Sequence, residues 1–148
     1  MTATQGGRLL ILGVAASDSH AVANILIARY LRGLGFEVVN LGPCTPVAEF
    51  ARACRDHPAA EAVLIGSLNG QIHADLADLP AARARGDIRC PVIVGGNLSV
   101  GGDPDAAVLE RLRALGVDRI LAEPTELPAA LDRLRQQRTP RKPLAVGA

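Results

Sequence analysis

Five short apolar runs recur along this chain, and each is followed by a segment with helical periodicity. The runs are Leu9–Val14, Phe36–Asn40, Ala62–Gly66, Pro91–Gly95 and Val117–Leu121. Each is rich in branched aliphatic residues and almost continuously apolar, which is typical of parallel strands covered on both faces. Their spacing of roughly 25 to 29 residues suits a strand, a loop and a three-turn helix. The alternation predicts an α/β fold.

Capping and breaking residues mark the ends of the predicted helices. Thr45 and Asp103 each precede a proline, which predicts an N-cap followed by proline at the first helical position. Gly35 and Gly116 are predicted to end helices, and Pro80 is expected to shorten or kink the third one. These signals support a helix after each strand.

The first predicted helix, Ala21–Gly33, differs from the others because it is apolar on most of its circumference. Only Arg29 and Arg32 interrupt it with charge. A helix of this kind is expected to cover more than one surface.

Strands and helices in this order predict a flavodoxin-like, doubly wound, five-stranded parallel sheet with strand order 2-1-3-4-5. Residues 1–135 are expected to form one domain, and the aperiodic residues 136–148, which contain two prolines, are predicted to be a disordered tail. In such a sheet, ligands bind at the carboxyl edge, beside the switch point between strands 1 and 3.

Composition excludes several classes of function. The chain has 148 residues, a formal net charge of +1 and only 2% aromatic residues, so neither a basic field nor stacking platforms indicate a nucleic-acid partner. No apolar run is long enough to span a membrane.

Three cysteines without C-x-x-C spacing indicate reduced thiols in a cytoplasmic protein. Cys54 and His57 could form half of a metal site, but without a second pair Cys54 is better interpreted as a core residue.

The unusual polar and glycine residues follow strands 1, 3 and 4, in the loops at 17–24, 66–71 and 95–102. Carboxyl ends of parallel strands meet at one sheet edge, so these loops are expected to converge. Asp18 can hold the Nδ1 proton of His20 and leave Nε2 free for a metal or a proton. An N-cap beside a surface histidine remains an alternative for this pair, and plain turns remain alternatives for the glycines.

Several familiar sites are absent from the sequence. It contains neither a G-x-x-x-x-G-K-[ST] phosphate loop nor a G-x-G-x-x-G fingerprint. Ser67 occupies the wrong position for a G-x-S-x-G nucleophile elbow. Strand 3 ends in Gly66 and Ser67 rather than in the acidic residue of a response regulator.

Taken together, the three loops resemble those of the cobalamin-binding small subunit of glutamate mutase (methylaspartate mutase). That family carries D-x-H-x-x-G after strand 1, S-x-L after strand 3 and G-G after strand 4. Here the corresponding residues are Asp18-Ser19-His20, Gly66-Ser67-Leu68 with Asn69, and Gly95-Gly96. The similarity extends from about Leu10 to Leu134.

The resemblance implies that His20 is the lower axial ligand of cobalt in adenosylcobalamin, replacing the dimethylbenzimidazole of the cofactor, and that Asp18 orients its ring. The nucleotide tail would enter a pocket between strand 1, helix 1 and strand 3. The implied cofactor-binding residues are Ser17, Asp18, Ser19, His20, Ala21, Ala23, Gly66, Ser67, Leu68, Gly95, Gly96, Asn97, Leu98 and Ser99.

Two residues depart from the family pattern. Ala23 stands where the motif has its glycine, and Gly66 stands in place of a serine. An added methyl at a backbone contact could cost about 1–3 kcal/mol if it overpacks. We therefore expect weaker or differently shaped cofactor binding rather than its loss.

The implied reaction is the radical rearrangement of L-glutamate to 3-methylaspartate, an isomerase activity. No arginine cluster suited to two substrate carboxylates lies in the loops, so this chain supplies no catalytic residue for the substrate. A larger catalytic subunit is the implied partner, in a heterotetramer of two small and two large subunits. Two alternatives remain: a component of another cobalamin-dependent mutase or methyltransferase, and a non-catalytic cobalamin-binding module.

Overall fold

A computed structural model describes residues 7–96 and 106–138. The five strands are β1 (Leu9–Val14), β2 (Glu37–Asn40), β3 (Ala62–Ser67), β4 (Val92–Gly96) and β5 (Arg119–Leu121). All neighbouring strands are parallel, and their order is β2-β1-β3-β4-β5. The predicted flavodoxin-like topology is confirmed, with the switch point between β1 and β3.

The helices are α1 (Val22–Gly33), α2 (Val47–Asp56), α3 (Ile72–Asp75), α4 (Leu79–Ala84), α5 (Ala106–Ala114) and α6 (Leu127–Arg138). A 3-10 turn at Pro124–Glu126 leads into α6. The third predicted helix is divided into α3 and α4, and Pro80 lies at the start of α4, where its missing N–H costs nothing. Within the described ranges, no helix is long and apolar enough to cross a membrane.

The sheet separates two apolar cores because successive strand residues point to opposite faces. Leu10 and Leu12 of β1 pack in a core with α1 and α6. Ile11, between them, packs in the larger core with α2, α3, α4 and α5, which contains Phe50. Gly13 continues this side of β1, and a Cβ there would lie 2.7 Å from the Phe50 ring.

Two sequence predictions about ends are corrected. Thr45 does not cap α2: Pro46 occupies the N-cap position, and the buried Thr45 hydroxyl donates to the Gly42 carbonyl over 3.0 Å instead. Helix α6 continues to Arg138, three residues past the predicted boundary at residue 135. Glutamine and arginine favour helices, and Gln137 accepts a hydrogen bond from Arg119. Asp103 lies outside the described residues.

Other local predictions are confirmed. Gly35 and Gly116 follow α1 and α5 with φ angles of 97° and 109°, the left-handed conformation that ends helices. Cys54 is partly buried against the larger core. A hydrogen bond with Cys90 is the main cause that raises the pKa of the Cys54 thiol, and burial raises it further. A raised thiol pKa is typical of a core cysteine rather than of a nucleophile.

Candidate functional site

Asp18 is the buried centre of the loop after β1. It is 1% exposed, and both of its carboxylate oxygens accept hydrogen bonds. Oδ1 accepts from the His20 backbone N–H (2.9 Å) and pairs with the ring Nδ1 (2.5 Å), while Oδ2 accepts from the Leu68 N–H (2.5 Å). One carboxylate therefore joins the loops that follow β1 and β3 and orients the histidine ring.

These hydrogen bonds also keep Asp18 ionised. Burial by itself would raise the pKa of the Asp18 carboxyl, but the hydrogen bonds from Leu68 and His20 outweigh it and lower that pKa below its ordinary value of 3.8. Because the folded pKa is below the unfolded one, the carboxylate stabilises the fold above about pH 3.8. This contribution is lost as the pH falls through the folded pKa.

The His20 side chain presents one ring nitrogen outward. Its Nδ1 is engaged by the carboxylate of Asp18 and so carries the proton, which leaves the Nε2 lone pair available. The side chain is 58% exposed. A carboxylate–histidine pair with an exposed Nε2 is the arrangement that prepares an imidazole for metal ligation.

Ser17 and Asn69 fasten the same two loops from the solvent side. The Ser17 hydroxyl donates to Asp75 over 2.7 Å, and the Asn69 amide donates to the Ser17 backbone carbonyl and hydroxyl. These contacts hold the segment that carries Asp18 at two further points. The sequence did not indicate the role of Asp75, because it is a helical acid distant in the chain.

An apolar groove opens beside His20 at the carboxyl edge of the sheet, with a volume of about 220 Å³. It lies between α1, the ends of β1, β3 and β4, and the segment after β5. Among the described residues that line it, the only carboxylate is that of Glu123 and there is no lysine or arginine. The groove therefore suits a largely apolar, neutral group rather than an anion.

Glycines keep the floor of this groove open. A Cβ at Gly96, whose φ is +111°, would lie 2.1 Å from the Ser67 carbonyl oxygen, so β3 and β4 approach more closely here than a side chain permits. A Cβ at Gly66 would meet nothing nearer than the Gly13 carbonyl oxygen, 3.9 Å away. Gly66 stands where the family pattern has a serine, and the space that the missing side chain leaves is part of the groove.

Two buried polar atoms in the groove wall have no hydrogen-bond partner in the described structure. They are Nδ2 of Asn24, whose side chain belongs to a residue only 4% exposed, and Oγ of the fully buried Ser67. Buried polar groups are normally paired because desolvation without a partner costs about 1–3 kcal/mol. Both residues line the groove, so these two unpartnered atoms lie in its wall.

The structure brings only part of the predicted set of site residues into the groove. The groove is lined by His20, Ala23, Gly66, Ser67, Leu68, Gly95 and Gly96. Asp18 acts from behind His20, Ser17 fastens the loop, and Ser19 is exposed at its tip. Ala21, also predicted, precedes α1 and is not part of the groove wall. Asn97, Leu98 and Ser99 lie outside the described residues.

Sequence reasoning missed Asn24 and the wall formed by Glu123, Pro124 and Leu127. Asn24 is the one polar residue in the first two turns of α1 (residues 22–28), a signal that the sequence contained. The segment after β5 also follows a strand at the carboxyl edge, but it has none of the glycines that drew attention to the other loops.

Comparisons with known proteins agree with this geometry. The B12 binding domain family matches residues 8–132. The chain is 38% identical over 128 residues to the glutamate mutase sigma subunit of Halobacterium salinarum, covering 86% of this chain and 85% of the relative. It is 36% identical over 136 residues to glutamate mutase sigma subunit 1 of Haloarcula marismortui, covering 92% and 89%.

Solved structures share the fold. The methanol:cobalamin methyltransferase complex of Methanosarcina barkeri superposes with a TM-score of 0.67 at 22% identity, covering 85% of this chain and 45% of that one. A cobalamin-binding protein from Desulfitobacterium hafniense gives 0.65 at 20% identity, covering 86% and 58%. The chain belongs to the B12-binding domain family and, within it, to the group of the glutamate mutase sigma subunits.

Proposed function

We propose that this chain is the cobalamin-binding small subunit of an adenosylcobalamin-dependent glutamate mutase, an isomerase that interconverts L-glutamate and 3-methylaspartate. The observation that carries the proposal is the Asp18–His20 pair at the mouth of an apolar groove. The sequence similarity to sigma subunits over most of the chain supports the mutase over the methyltransferase and non-catalytic alternatives.

The residues present fit the cofactor. The Nε2 of His20 would ligate cobalt in place of the cofactor's own base, and Asp18 would hold the ring in the orientation that ligation needs. The groove would take the neutral heterocycle and sugar of the displaced nucleotide tail, because its walls are apolar and two unpartnered polar atoms lie in them. Ala23 and Gly66, the two departures from the family pattern, both line this groove.

When bound, adenosylcobalamin would supply the radical chemistry. The tasks of this chain would be to hold the cobalt through His20 and to order the loops around that histidine through Asp18. None of the residues lining the described groove is a lysine or arginine, whereas a substrate with two carboxylates calls for guanidinium partners. The substrate site therefore belongs to a larger catalytic subunit.

The first turns of α1 support a partner at this face. Val22, Ile25 and Leu26 are each more than half exposed on the surface beside the groove. An exposed apolar cluster of this kind marks a contact surface. We propose that the corrin and the larger subunit cover it, in an assembly of two small and two large subunits.

The three reduced cysteines are in keeping with a cytoplasmic location.

Replacing Asp18 with asparagine tests the orienting role. Asparagine has one acceptor oxygen, whereas Asp18 accepts through two, so either His20 or Leu68 loses its partner. Outer-shell substitutions of this kind cost about 10- to 100-fold in metal affinity. We expect a matching loss of adenosylcobalamin affinity in an absorbance titration. Equal affinities of Asp18→Asn and the wild type would show that the carboxylate does not orient the ligand.

The assigned reaction is tested by reconstitution. The purified chain is combined with a glutamate mutase large subunit and adenosylcobalamin, and the products from L-glutamate are identified by chromatography. Formation of 3-methylaspartate that requires all three components is the expected result. If the chain bound methylcobalamin tightly and the three-component mixture formed no 3-methylaspartate, the result would instead favour the alternative that this chain is a component of a methyltransferase.

A further inference from the structure

Asn24 on α1 is a buried amide that is only half satisfied. Its Oδ1 accepts a hydrogen bond from Nδ2 of Asn40 over 2.8 Å, but its own Nδ2 has no partner within the described structure. The residue lines the groove. An amide N–H₂ group with no partner, almost completely shielded from water, is unfavourable unless something else occupies the space it faces.

The orientation of this amide follows from a chain of hydrogen bonds that ends on the backbone. The Gly42 N–H can only donate, and it donates to Oδ1 of Asn40 over 3.0 Å. Asn40 must then direct its Nδ2 toward Asn24, so the atom of Asn24 that faces it must be the acceptor, Oδ1. The donor group of Asn24 is thereby the one left without a partner, on a residue that lines the groove. Reversing either amide would place like groups against each other.

The surroundings indicate what the donor faces. Ser67, the other residue with an unpartnered atom in this wall, carries a hydroxyl that can donate or accept. Asn24 Nδ2 can only donate. Since Glu123 is the only residue with a carboxylate in the described lining and no arginine or lysine is present there, a phosphate would have no countercharge. A neutral acceptor, such as a ring nitrogen or a ribose oxygen, fits the site.

We propose that Asn24, held by Asn40 and Gly42, is a specificity-determining residue that donates a hydrogen bond to a neutral acceptor in the nucleotide tail of the cobalamin. This inference rests on the proposed function, because it takes the groove to be the tail site. It assigns to Asn24 a contact with the tail, and to Asn40 the positioning of that contact.

The test uses Asn24→Asp in the full-length chain. Aspartate keeps an acceptor for Asn40 and nearly the same shape, but it replaces the donor with an oxygen. Adenosylcobalamin and cobinamide, which has the corrin but no nucleotide tail, are titrated against each protein by absorbance. We expect Asn24→Asp to bind adenosylcobalamin about 10- to 100-fold more weakly than the wild type and to bind cobinamide as the wild type does.

Two further variants keep the result interpretable. Gln137→Glu makes the same amide-to-carboxylate change on α6, where the side-chain oxygen still accepts from Arg119, and it should bind both corrinoids normally. Asn24→Ala removes the donor without adding charge. If Asn24→Asp does not fold, the same two titrations of Asn24→Ala test whether Asn24 contacts the nucleotide tail.

The outcomes separate this inference from the proposed function. Unchanged adenosylcobalamin binding in the Asn24 variants, or equal weakening for cobinamide, would overturn the tail contact while leaving His20 ligation intact. Failure of the wild-type chain to bind either corrinoid would instead overturn the proposed function.

Discussion

His20→Ala is expected to abolish the spectrum of cobalamin ligated by a protein histidine and to weaken adenosylcobalamin binding by at least about 100-fold. This exceeds the loss from an outer-shell change because the cobalt ligand itself is removed. The Nε2 of His20 is the ring nitrogen that Asp18 leaves available, and its side chain projects from the mouth of the groove. An absorbance titration with adenosylcobalamin measures both the spectrum and the affinity.

The matched control is His57→Ala, which removes an imidazole at the C-cap of α2, outside the groove. It should titrate like the wild type. Survival of the histidine-ligated spectrum in His20→Ala would refute the assignment of His20 as axial ligand, whatever the affinity.

Gly96→Ala is expected to lower the free energy of unfolding by about 2–5 kcal/mol. The left-handed backbone at Gly96 costs an alanine about 1–2 kcal/mol, and overpacking adds about 1–3 kcal/mol. The added Cβ would lie 2.1 Å from the Ser67 carbonyl oxygen, a backbone atom in the adjacent strand. Relief requires β3 and β4 to separate at the floor of the groove. Urea denaturation followed by circular dichroism measures the change.

Gly66→Ala is the control for this prediction. Gly66 lies in the same sheet one residue before Ser67, but its nearest neighbour to an added Cβ is 3.9 Å away, which is ordinary contact. We expect a free energy of unfolding within about 0.5 kcal/mol of the wild type. Equal urea midpoints for Gly96→Ala and Gly66→Ala would show that the close approach at Gly96 does not constrain the sheet.

The sheet was predictable because its signals are local. The run at Leu9–Val14 coincides with β1, and the other four runs locate their strands to within two residues at each end. Alternating strand and helix patterns then leave few topologies, since crossovers are right-handed. Caps were less predictable: Thr45 is a residue type that favours the N-cap, but α2 begins one residue later than expected and the Thr45 hydroxyl donates to the Gly42 carbonyl. A cap depends on where the preceding chain turns.

The candidate site was predictable in its location and in the pairing of Asp18 with His20. Asp18 and His20 are two residues apart, so their contact is a local property of one loop. The contact between Asp18 and Leu68 is not local, because it joins residues 50 positions apart in the chain. Likewise, Asn24 and Asn40 are interpretable only once α1 and β2 are adjacent.

The sequence by itself determined the order of strands and helices, the edge at which the loops meet and the histidine that faces outward. Periodicity and spacing encode these features within short stretches of chain. Only the tertiary structure decided the shape of the groove, the 2.1 Å approach that excludes a side chain at Gly96, and the unpartnered donor of Asn24. Each of these arises where backbone or side-chain atoms from separate strands and helices meet, and no local pattern records such distances.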